Sequence, residues 1–97
     1  MTAYLHGNIQ IHDMDLYKEY TAQVPAVIAK YGGRYLVRGG AVEVVEGDVS
    51  VKRQVILEFP DMTALKAFYF SEEYAPLKDV RLQAATGSIL LIEGYQP

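Results

Sequence analysis

Gly32-Gly33-Arg34-Tyr35-Leu36-Val37-Arg38-Gly39-Gly40 sets five alternating residues between two glycine pairs. As a strand it puts Arg34, Leu36 and Arg38 on one face and Tyr35 and Val37 on the other. Gly32-Gly33 suits the left-handed stop of a preceding helix, and Gly39-Gly40 a bend or bulge. Neither pair has phosphate-loop spacing or a following helix N-terminus, so neither marks a nucleotide site. Two arginines sharing a face with a leucine suit a partly apolar surface that also meets negative charge.

Upstream, Tyr4 to His12 alternates cleanly. Leu5, Gly7, Ile9 and Ile11 form a packed face; Tyr4, His6, Asn8, Gln10 and His12 form a polar one. Asp13 is placed to cap a helix, with Asp15 in its first turn. Leu16, Tyr20, Val24, Val27, Ile28 and Tyr31 follow at helical spacing. Pro25 lies inside this run, and its missing N–H predicts a kink or a split. Downstream, Ala41 to Glu46 reads as a continuing strand and Gly47-Asp48-Val49-Ser50 as a turn. Arg53 to Phe59 is a further strand, with Val55, Leu57 and Phe59 opposite Gln54, Ile56 and Glu58. Pro60 stops it, and Asp61 caps a helix through Ala64, Leu65, Phe68 and Tyr69. Ser71 is placed to cap a short helix that carries Glu72 and Glu73 and runs toward Arg81. Thr86-Gly87 breaks the chain before a last strand, Ser88 to Tyr95.

The order β-α-β-β-α-β predicts a ferredoxin-like α+β fold: a four-stranded antiparallel sheet with the helices on one side. The other face, with Leu36, Ile56 and Leu91, would be an exposed apolar patch. A second copy packed face to face would cover it. The expected assembly is a homodimer through the sheet face, a dimeric α+β barrel.

At 97 residues the chain is expected to be one domain, residues 1–97. Its formal charge is -3 and it has no basic run, so neither nucleic acid nor an anionic membrane is an expected partner. It has no cysteine, which removes disulfides and thiol chemistry and suits a reducing cytoplasm. No apolar run approaches the roughly 20 residues that span a bilayer, and no signal-peptide pattern is present.

Several side chains could carry chemistry. Arg34 and Arg38 lie about 13 Å apart on a straight strand, too far to grip one small carboxylate together. One of them could meet an anion; pairing with Glu58 or Glu93 is the competing role for both. His6, with Asn8 beside it, could move a proton if its face lines a barrel interior. His12 is roughly 20 Å from His6, so the two cannot share a metal, and no metal site is expected. Tyr69 or Tyr74 could point a hydroxyl into a pocket mouth. Ser71 suits a helix cap better than a nucleophile. Arg81 is placed either to close a salt-bridge network with Glu72, Glu73 and Asp79 or to clamp a ligand.

Taken together, Tyr31 to Gly40, Glu46-Gly47, Glu58-Phe59-Pro60, Phe68-Tyr69, Ser71, Tyr74, Arg81 and Glu93-Gly94 resemble the bacterial family known as domain of unknown function 1330, in the dimeric α/β-barrel superfamily. The resemblance spans nearly the whole chain. It implies small ferredoxin-like proteins that pair through their sheets, and it brings no catalytic residues. Two positions depart from the family pattern: Phe68 stands where tryptophan is usual, and Glu72 where proline is usual. The superfamily includes cofactor-free monooxygenases, haem-degrading enzymes and isomerases, so the fold does not give the function.

The expected function is binding of a small anionic or oxygenated organic molecule, with or without cofactor-independent catalysis. The expected pocket draws on His6, Asn8, Arg34, Arg38, Tyr69, Ser71, Tyr74 and Arg81. The alternative is a non-enzymatic assembly or ligand-sensing module whose polar sheet face serves only dimerisation. A haem or flavin protein, with His6 as haem ligand, ranks third; no cofactor is expected.

Overall fold

A computed structural model describes the chain from Met1 to Pro97. Seven elements follow one another: β1 (Ala3–Ile11), α1 (Met14–Lys30), β2 (Arg34–Arg38), β3 (Arg53–Phe59), α2 (Met62–Tyr69), α3 (Ala75–Ala84) and β4 (Ala85–Glu93). The strands form one sheet in the order β2-β3-β1-β4, and every neighbouring pair is antiparallel. This is the ferredoxin-like arrangement.

Alternation in β1 and β3 decides which face is buried. Ala3, Leu5 and Ile9 of β1 and Leu57 and Phe59 of β3 point under the helices. Val24 and Ile28 of α1, Leu65 and Phe68 of α2, and Leu77 of α3 close over them. Phe68 is 1% exposed and its ring lies 5.3 Å from Phe59 and 4.6 Å from Tyr74. No helix is long and apolar enough to cross a membrane.

The helix starts follow their caps. The Asp13 carboxylate accepts from Leu16 N at 3.1 Å, and that of Asp61 from Ala64 N at 2.7 Å. Ser71 works differently from expectation. Its hydroxyl donates to the Phe68 carbonyl and accepts from Tyr74 N, stitching the α2–α3 turn. The helix proper starts only at Ala75, with Pro76 in its first turn. Lys30, at the end of α1, reaches this turn and pairs with Glu73 at 2.8 Å. This exposed pair, helped by a bond from Tyr31, holds the Glu73 carboxyl below its ordinary pKa.

Several sequence expectations need correction. Pro25 does not split α1, which runs through it for 17 residues. Ala41 to Glu46 forms no strand; everything between Arg38 and Arg53 is irregular. The strand bulges earlier, at Leu36 between Tyr35 and Val37, and at the following glycines the chain bends, as expected, at Gly39. Thr86-Gly87 does not break the chain, because α3 passes directly into β4 and Gly87 sits inside that strand, paired with Ile9.

The face without helices also differs. Ile92 and Leu90 lie on it, opposite Tyr4 and His6, while Leu91 faces the core opposite Leu5. Leu36, Leu90 and Ile92 are 44%, 52% and 45% exposed, so this face is an apolar patch with polar residues among it.

Candidate functional site

The bulge at Leu36 moves the second arginine to the other side of the sheet. Arg34 pairs with Glu58, on the open face, but after the extra residue Arg38 pairs with Val55, whose side faces the helices. The two arginines therefore serve different surfaces. Arg34 donates from Nε to the Glu58 carboxylate at 2.8 Å, a largely exposed pair that contributes little to stability. Glu93 is exposed and has no such partner.

The open face also takes His6 and Asn8. His6 Nε2 lies 2.7 Å from the Gln54 side-chain oxygen, and the Gln54 amide donates to Asn8 Oδ1 at 2.6 Å. Asn8 Oδ1 also accepts from Lys52 N at 3.0 Å, and Asn8 Nδ2 donates to the Ser50 carbonyl at 3.4 Å. This polar chain ties the irregular 50–52 segment to the sheet. Above it lies an open cleft of about 350 Å3 walled by Val42, Val44 and Val51.

The second concavity lies between the sheet and the helices, and the chemistry concentrates there. Eleven of its fifteen lining residues are hydrophobic; the others are Thr21, Arg38, Arg53 and Arg81. Three guanidinium groups thus face one apolar pocket, and no carboxylate or imidazole does, in a chain whose net charge is -3. The free volume is about 30 Å3, room for one or two waters.

Each arginine is held by an identifiable device. Arg38 is exposed at the pocket mouth. It stacks on Tyr35 at 4.7 Å and donates to the Thr21 carbonyl of α1 at 3.3 Å. That carbonyl is free for a local reason: its helical donor would be the N–H of residue 25, which is proline. Pro25 thus survives inside α1 because Arg38 takes the acceptor it leaves vacant. Pro25→Ala should restore the helical bond, raise stability modestly, and release Arg38. Urea denaturation, together with a faster reaction of Arg38 with phenylglyoxal, would check this.

Arg53 opens β3 on the core-facing side, over the Tyr17 ring at 5.8 Å. Its guanidinium fits against Gly39, where any Cβ would collide with it, and its Nε is buried without a partner. Arg81 is the deepest of the three, 7% exposed. It makes no ion pair with Glu72, Glu73 or Asp79, contrary to the network expected from their spacing. Instead Nε donates to the Tyr74 hydroxyl at 3.3 Å and Nη2 to the Tyr69 hydroxyl at 3.4 Å. Burial opposes its charge, but the oxygens of Tyr74, Tyr20 and Tyr69 outweigh that and hold its pKa above the ordinary value.

The Tyr74 hydroxyl also lies 2.8 Å from that of Tyr20 on α1. Burial, then the neighbouring Tyr74, pushes the Tyr20 pKa far above an ordinary phenol. Burial likewise raises Tyr35. Tyr20 and Tyr35 thus stay protonated as donors, and the lining holds three guanidinium groups but no carboxylate or imidazole to act as a base.

Of the expected site residues, the structure brings Arg38, Tyr74 and Arg81 together, with Tyr69 behind Arg81. His6, Asn8 and Arg34 lie on the opposite sheet face, and Ser71 is occupied within its turn. Sequence reasoning missed Tyr20, Tyr35 and Arg53. For Arg53 a signal existed, because it shares the alternation of Val55, Leu57 and Phe59 and so must face the core.

The family model described as Domain of unknown function (DUF1330) matches residues 2–95. A search of curated proteins finds no match. A protein of unknown function from Rhodopseudomonas palustris superimposes with a TM-score of 0.76 at 16% identity, covering 99% of this chain and 84% of its own. A dimeric ferredoxin-like protein of unknown function from Jannaschia sp. CCS1 gives 0.68 at 16% identity, covering 99% and 100%. SnoaB, a cofactor-independent oxygenase from Streptomyces nogalater, gives 0.62 at 14% identity, covering 99% and 94%. At these identities the likeness is one of fold.

Proposed function

The chain belongs to the DUF1330 family, and on that footing we propose that it is a homodimer whose subunits each bind a small, partly apolar organic anion between sheet and helices. The observation that carries this is the pocket holding Arg38, Arg53 and Arg81 with no carboxylate to neutralise them. None of the three has an ion-pair partner and Arg53 Nε is buried with no acceptor; the oxygens of a bound anion would fill that place. The apolar lining suits the ligand's body, and the guanidinium groups suit its charged oxygens.

Access runs past Arg38. The pocket is too small for an organic molecule until that side chain leaves the Thr21 carbonyl and swings outward. Arg38 is exposed and its bond is long, so this movement is cheap. With no base in the lining, the side chains hold and polarise the bound molecule and do not take protons from it.

The dimer rests on the open sheet face. Leu36, Leu90 and Ile92 form a patch that a second copy would bury, and the Jannaschia neighbour of the same fold is dimeric. Native mass spectrometry should show two chains per particle at micromolar concentration. Titration calorimetry with benzoate should show binding, weakened about tenfold in Arg38→Ala with the dimer intact. A monomer would remove the assembly half of the proposal. Absence of benzoate binding at millimolar concentration would remove the ligand half.

A further inference from the structure

We infer that the Tyr20–Tyr74–Arg81 chain is the oxygen-reading end of this pocket, and that the ligand presents to it a charged acceptor oxygen without a proton of its own: a phenolate or an enolate. This rests on the anion-pocket proposal and narrows its ligand class.

Proton counting leads there. Arginine only donates, so the Tyr74 oxygen is the acceptor for Arg81 Nε. The two tyrosine hydroxyls carry two protons between them and share one hydrogen bond, of 2.8 Å. Whichever way that bond points, one hydroxyl proton remains, and no other protein acceptor lies within reach of either oxygen. Both residues line the pocket. A part-buried donor without an acceptor is costly and uncommon, and a ligand oxygen would satisfy it.

The direction of polarisation agrees. Arg81 withdraws electron density from Tyr74, and through it from Tyr20, so the remaining O–H is a stronger donor than an isolated phenol. Tyr20 resists ionisation, because burial raises its pKa, so its hydroxyl stays a donor. A ligand hydroxyl could accept this bond, but it brings no charge to the site. A deprotonated oxygen leaves nothing unpaired and places its charge near the unneutralised guanidinium.

Spectrophotometric titration of 4-nitrophenol tests this, since its ionised form is coloured. Bound to the wild-type protein, the probe should show an apparent pKa lower by about one unit or more, a tenfold preference for phenolate. Tyr20→Phe and Tyr74→Phe should each raise that pKa again and weaken phenolate binding about tenfold. Each removes a single oxygen, and thermal melts verify that each variant folds. An unshifted pKa, no binding of the probe, or a shift that survives both substitutions would overturn the inference. Benzoate separates the two levels: if it binds while nitrophenolate does not, the anion pocket stands without its phenolate end; if neither binds, both fall.

Discussion

Gly87→Ala is expected to cost more than about 4 kcal/mol, a loss at the exceptional end for one substitution and a large share of the roughly 5–15 kcal/mol typical of a domain. Gly87 has φ +144 inside β4 and pairs with Ile9 of β1. A Cβ there would overlap the backbone carbonyl oxygen of Asn8. No rotamer change relieves such a contact, because the obstacle is the neighbouring strand itself. The sheet must either open at β1–β4 or shift register, and a one-residue shift would turn Ile89 and Leu91 outward. Gly40→Ala is the matching control, since a Cβ at Gly40 meets nothing within 4 Å, and it should change stability by less than about 0.5 kcal/mol. Urea denaturation followed by circular dichroism measures both. A Gly87→Ala protein as stable as Gly40→Ala would contradict the β1–β4 packing.

Arg81→Met should uncouple binding from stability. It is expected to weaken benzoate binding about 10- to 100-fold, the value of a charge-assisted hydrogen bond in a dry site. The unliganded protein should nevertheless melt at or above the wild-type temperature. Arg81 has no carboxylate partner, so removing it strands no opposite charge, and a flexible apolar side chain fills the same core position. The Tyr74 and Tyr69 hydroxyls each lose a donor, but Tyr74 keeps its bond to Tyr20 and both lost bonds were long. A destabilisation above about 2 kcal/mol with benzoate affinity unchanged would make Arg81 a structural residue. Calorimetric titration and thermal melts on one preparation distinguish these outcomes.

The fold was legible where alternation repeats over many residues. β1 and β3 alternate for nine and seven residues, and this fixed their faces and the bounds of β3. Asp13 and Asp61 announced their helices because a capping carboxylate satisfies N–H groups that nothing else in the chain reaches. β2 offered only five residues, and one bulge in a strand that short inverts the face of whatever follows. That is how Arg34 and Arg38, identical in parity, came to lie on opposite sides. In β4, Ile89-Leu90-Leu91-Ile92 is apolar throughout and carries no parity signal, so Leu91 could not be told from Leu90. The valines of 41–46 read as a strand on propensity alone, but no strand partner comes within their reach.

The site was less legible than the fold. Glu72, Glu73 and Asp79 lie near Arg81 in sequence, while its partners in space are tyrosines. Pro25 was visible as a problem for its helix; that its vacated carbonyl would hold Arg38 depends on how β2 docks against α1. The Tyr20–Tyr74 contact joins residues 54 apart in sequence, and both tyrosines fit equally well among ordinary core aromatics.

A thermal-shift comparison of benzoate with benzamide tests the anion pocket most directly, because the two differ little in shape and fully in charge. Benzoate should raise the melting temperature in proportion to the logarithm of its concentration once above Kd, and benzamide should leave it unchanged. Equal shifts from both, or none from either, would contradict a pocket in which Arg38, Arg53 and Arg81 await an anion.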